Sequence, residues 1–106
     1  MNLDLLETED RIVLRLSGRL DRHAVGLSIA AAKAVHMDTS DCIEVDLAGV
    51  DYIDIIGFAK LIHLNRLSAT HGKRLILANA QPKVDKTMRW LKFTKLLRQE
   101  VSKSRN

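Results

Sequence analysis

The side chains best suited to chemistry in this chain cluster where the sequence reads D-L-A-G-V-D-Y-I-D-I-I-G, residues 46 to 57. Asp46, Asp51 and Asp54 are three carboxylates at what reads as the carboxyl end of a strand. Such a set could hold a divalent cation, because magnesium prefers oxygen ligands. No glycine-rich phosphate loop accompanies them, and a plainer assignment accounts for two of the three. Asp54 precedes a helical pattern and can cap a free backbone N–H of its first turn, while Asp51 sits in a turn. Elsewhere there is no G-x-S-x-G, H-E-x-x-H or C-x-x-C pattern, and no phosphate loop ending in G-K-S or G-K-T. His23, His36, His63 and His71 are scattered at spacings that suit no metal site. His36 and His71 fall near expected helix C-termini, where partial positive charge is favourable. No enzymatic activity, metal or cofactor is expected, and a small nucleotide- or metal-binding domain built on the three aspartates is kept as an alternative.

The elements around these residues alternate. Leu3–Leu6 and Ile12–Leu16 read as two short strands with Glu9-Asp10 as the turn between them. Ser17-Gly18-Arg19 breaks the second. Asp21 is then a plausible cap for an alanine-rich helix running to about Val35. Ile43–Leu47 alternates apolar and acidic residues as a strand does, and its continuation through Ile53 leads to Asp54. From Ile55 to about His71, Phe58, Leu61, Ile62, Leu64 and Leu67 recur at roughly helical spacing, and Gly72 supplies a left-handed stop. Leu75–Ala78 reads as a buried strand, and Pro82 opens a third helix with Val84, Met88 and Leu91 as its apolar stripe. Strand–helix alternation requires crossover connections, so the chain is an α/β domain with a parallel or mixed sheet.

At 106 residues, with 46% hydrophobic and 28% charged residues, the composition is that of one globular domain. No stretch approaches the roughly 20 apolar residues of a spanning helix. The start, Met1-Asn2-Leu3-Asp4, carries no basic segment followed by an apolar run, so no secretory leader is expected. The single cysteine, Cys42, can form no internal disulfide and reads as a small buried hydrophobe. A cytoplasmic location is expected. From Pro82 onward eight Lys or Arg face only Asp85 and Glu100, an excess of six charges against a net deficit of two before it. That segment could face nucleic acid, lipid headgroups or an acidic partner. The plain reading is a solvated helix face followed by a frayed basic tail over about the last eight residues. Trp90 could stack on a base or insert at a membrane interface, but with aromatics at only 4% it is expected to pack at the edge of the third helix. No nucleic-acid partner is expected.

Together these segments resemble a known family. Leu16-Ser17-Gly18-Arg19-Leu20-Asp21, the run from Val45 to Asp54, and Gly57 are similar to the STAS family, with Gly72–Asn79 matching its fourth strand. The family comprises bacterial anti-sigma factor antagonists and the cytoplasmic domains of sulfate transporters. The resemblance covers residues 3 to 97 and implies a mixed central sheet of about four strands with helices packed against it. It implies a non-enzymatic module that binds a regulatory protein, of anti-sigma factor or serine kinase type. Its alternative is the cytoplasmic STAS subunit of an ABC-type lipid transport complex, docked on an ATPase. The resemblance places partner contacts at Asp21, Asp54, Ile55, Ile56, Gly57 and Phe58. The family's switch is a serine in the first turn of the second helix, whose phosphorylation breaks the complex. Here that position is Ile56, preceded by Ile55, and neither can accept a phosphoryl group. Serine control at this loop is therefore expected to be absent. Phe93 stands where a glycine is usual, and the family's last strand and helix are shortened.

Burying both isoleucines against a partner would contribute roughly 3 to 5 kcal/mol before association costs. Adjacent helical residues point about 100° apart, so one isoleucine is expected in the core and the other exposed. A homodimer through this face is a further possibility.

Overall fold

The computed structural model of the protein describes residues 1–92. The expectations about the basic tail, Phe93 and the shortened end concern residues outside that range. Strand β1 (Asn2–Glu7) and strand β2 (Ile12–Leu20) form an antiparallel hairpin. Helix α1 (Gly26–Val35), strand β3 (Cys42–Ile53), helix α2 (Ile55–Thr70) and strand β4 (Arg74–Ala78) follow. A third helix, α3, occupies residues 82–92. The sheet order is β1-β2-β3-β4, with β2, β3 and β4 mutually parallel. This is the expected α/β fold with a mixed, four-stranded sheet.

One face of the sheet is apolar and the other charged, which is the period-2 alternation of a half-covered sheet. Ile12, Leu14 and Leu16 of β2 lie beside Ile43, Val45 and Leu47 of β3, all without solvent exposure. The buried stripes of all three helices join them in one cluster, including Ala30, Ala31 and Ala34 of α1 and Val84, Met88 and Leu91 of α3. Small alanines let α1 lie close to the strands. The other face carries ion pairs to β3 from Arg11, just before β2, to Glu44 at 2.8 Å and from Arg15 of β2 to Asp46 at 3.5 Å.

Two boundaries differ from the sequence reading. Ser17-Gly18-Arg19 does not end β2; the strand continues to Leu20 through register shifts on either side of Ser17-Gly18. Gly18 has φ +93°, a conformation glycine adopts without penalty, so the irregularity bends the strand instead of stopping it. Asp21 does not cap α1. The helix begins five residues later at Gly26, its N-cap position is Val25, and no side chain caps it. The extended β2 consumes the residues up to Leu20, and 21–25 become a turn. At the other end of the helices, His36 and His71 hold the C-cap positions and Gly72 takes φ +72°.

The chain between the helices and β4 is tied from within. Lys73 is buried, and its ammonium donates to the carbonyls of Met37 and Ser40, each at 2.6 Å. These carbonyls lie just beyond α1, where backbone acceptors otherwise lack partners.

Candidate functional site

Because β2 and β3 run parallel, α1 and α2 both begin at the carboxyl edge of the sheet. That edge carries Asp21 and Asp54, which follow β2 and β3. Asp54 leaves β3 in an extended conformation (φ −123°, ψ −174°), and its carboxylate accepts a hydrogen bond from the Gly57 N–H at 2.9 Å. It is the N-cap of α2, as its type and position required.

Gly57 sits against the backbone at the end of β2. A Cβ at this position would overlap the carbonyl oxygen of Leu20, so the close approach of α2 to β2 admits only glycine. Phe58 points into the core with 7% of its surface exposed. Gly57 and Phe58, which the sequence reading placed among the partner contacts, are both buried in the chain's own core. Their burial turns the other side of the first turn outward. Ile55 is 66% exposed and Ile56 46% exposed. The expectation of one core isoleucine fails because Gly57, Phe58 and Leu61 already occupy the inward arc of the helix.

Asp21 forms its own turn beside α2. One carboxylate oxygen accepts the His23 N–H at 2.9 Å, and the other lies 3.3 Å from Arg19 Nε. The His23 N–H holds the Asp21 carboxyl below the usual carboxylate range, with Arg19 adding to it against an opposing effect of burial. The ammonium of Lys60 donates to the carbonyls of Asp21 and Arg22 at 3.0 and 3.1 Å. Lys60 thus pins the loop after β2 onto α2, one turn beyond Ile56. On the sheet beside it, the Arg19 guanidinium lies 3.8 Å from the centre of the Tyr52 ring.

Two further apolar residues are exposed at the start of α1. Val25 is 74% exposed at the N-cap of α1, and Ile29, one turn on, is 66% exposed. Sequence reasoning passed over both. They stand four residues apart on the side opposite Leu27, Ala30, Ala31 and Ala34, and a helical projection of the segment was the signal that could have found them.

The acidic cluster does not form. Asp46 lies in the middle of β3, not at its end, and Asp54 is eight residues on, about 26 Å along an extended strand. The Asp46 carboxylate accepts from the Ala48 N–H at 3.0 Å and from Asn79 Nδ2 at 3.2 Å, and faces Arg15. The Ala48 N–H is the main reason this carboxyl also stays below its usual range, opposed by burial and helped by Asn79 and Arg15. Among the described residues no group of three His, Cys, Asp or Glu side chains could hold a metal ion. Cys42 is buried at the start of β3. The site is a surface, apolar at its centre and fixed by backbone-directed hydrogen bonds.

A protein-family model described as "Mlab, STAS domain" matches residues 4–98. The chain belongs to the STAS family. Its fold is that of SpoIIAA, the Bacillus cell fate determinant and anti-sigma factor antagonist. The unphosphorylated form is 24% identical, with a TM-score of 0.65 over 84% of this chain and 83% of the other; the phosphorylated form matches alike, with 82% of it covered. A RsbS variant from Moorella thermoacetica gives a TM-score of 0.70 at 17% identity, covering 86% of this chain and 78% of that one. The STAS domain of a SulP transporter from Vibrio cholerae gives 0.68 at 18% identity, covering 86% and 70%. Among the described residues no helix is long and apolar enough to cross a membrane.

Proposed function

We propose that this protein is a non-enzymatic docking module that binds a protein partner through the edge formed by Ile55, Ile56, Val25 and Ile29. The observation that carries the reading is the joint exposure of Ile55 and Ile56 in the first turn of α2. Two branched apolar side chains on a solvated helix start have no role in the protein's own core, and burying them against a partner is favourable. Asp54 holds the turn, Lys60 holds the flanking loop, and Asp21 shapes that loop from within. Neither isoleucine can accept a phosphoryl group, so binding at this turn is constitutive.

The partner in this reading is a regulatory protein of anti-sigma factor or serine kinase type, by likeness to SpoIIAA and RsbS. A second reading is a STAS subunit docked on the ATPase of an ABC-type lipid transport complex. It is favoured by the absence of a hydroxyl at 55 and 56, as a permanent subunit requires, and by the Mlab-type family model that matches the chain. Capture with the tagged protein from its native cytoplasm, followed by mass spectrometry, separates the two. A kinase or sigma-factor regulator supports the first, and an ATPase with its permease supports the second. Incubation with a captured kinase should leave residues 55 and 56 unmodified. Phosphate on Ser17 or Thr70 would mean that control has moved, and would overturn constitutive binding.

A further inference from the structure

Helix α3 carries a second surface of different chemistry. Val84, Met88 and Leu91 bury one side of it in the core. At about 100° per residue, Lys83, Lys86 and Trp90 fall within about 60° of one another on the outward side. All three are exposed, Trp90 by 67%. Lys92 is exposed as well, but about 160° from Trp90 round the helix and so off this face. The one acid in this helix, Asp85, is taken by Arg89 at 2.9 Å, leaving Lys83, Lys86 and Lys92 without an ion pair among the described residues.

From this face we infer that α3 is a peripheral docking surface for an anionic lipid bilayer. Lys83 and Lys86 are compact, strongly hydrated charges on flexible stems, suited to a diffuse layer of headgroups; bidentate recognition of single phosphates is the task of arginine, and the arginine here is already paired. Tryptophan at the level of such lysines is the side chain that settles at a membrane interface, with the lysine stems lying along it. The face is the outside of a helix and therefore convex. A bilayer needs no groove, whereas single-stranded nucleic acid is held in a channel with several stacking aromatics. The attraction is weak and reversible: each lysine near an anionic surface multiplies binding roughly fivefold.

The test uses the full chain and its own reporter, since Trp90 is the protein's single tryptophan. Its emission is followed on adding vesicles of phosphatidylcholine alone, or with about one third phosphatidylglycerol, and sedimentation of protein with vesicles is measured in parallel. The expected result is a shift to shorter wavelength and co-sedimentation with the anionic vesicles only. Raising salt from about 0.05 M to about 0.5 M should reverse both. The double variant Lys83→Glu, Lys86→Glu should bind at least tenfold more weakly while melting at the same temperature. Equal binding to neutral vesicles, no response to anionic ones, or full binding by the double variant would each overturn the proposal. So would a response to a single-stranded oligonucleotide with none to vesicles.

Discussion

At the scale of single residues, two aspartates at one edge do different work, and each makes its own prediction. Asp54 accepts the Gly57 N–H and starts α2. Asp54→Ala should cost about 1 kcal/mol, roughly 4–8 °C in the melting temperature of a domain this size, measured by circular dichroism. Asp21 instead stabilises a turn through the His23 N–H and Arg19, and its carboxyl titrates below the usual value in the folded protein. A depressed native pKa contributes stability that is complete above about pH 5 and is lost as pH falls through the native value. Asp21→Asn should therefore melt below the wild type at pH 7, with the gap closing as the pH is lowered to about 2. The role of Asp54 was legible because a capping residue before a helical pattern is a local signal. The role of Asp21 was misread because the end of β2 is not local: a register shift at Gly18 extends the strand and delays the helix.

At the scale of elements, the placement of α2 decides which side chains meet solvent. Its first turn is held against the end of β2 by the absence of a side chain at Gly57. Gly57→Ala must push the helix away from Leu20, and should destabilise the fold by about 3 kcal/mol or more, seen as a lower urea midpoint with little change in slope. The same close approach explains why both isoleucines are exposed. A sequence pattern shows that positions 55 and 56 differ by about 100°, but not where the inward arc is centred. That centre is set by Gly57 and Phe58 meeting β2 and the core, a tertiary contact. The order of strands and helices was readable from alternation and periodicity, because those signals live within each element. The acidic trio at 46, 51 and 54 looked like a cluster only while the strand was taken to end early. Once β3 runs unbroken to Ile53, its own length separates Asp46 from Asp54.

At the scale of the whole molecule, a parallel β2-β3-β4 arrangement brings the starts of α1 and α2 to one edge, while α3 turns a lysine-rich side outward from the same core. The apolar edge and the basic helix are separate surfaces. By the resemblance read from the sequence, the first lies where the family carries a phosphorylatable serine, and isoleucine stands there instead. What the family resemblance supplied was the location of the edge; what the coordinates added were Val25, Ile29 and Lys60, none of which belongs to a sequence motif. The claim on which this depends is that the edge itself binds, and calorimetric titration of the captured partner into wild type, Ile56→Asp and Ile56→Ser measures it directly. Ile56→Asp should weaken binding by about 100-fold or more, about 2.7 kcal/mol, with an unchanged melting temperature, and Ile56→Ser should fall between it and wild type. Affinity for Ile56→Asp within twofold of wild type would contradict the account.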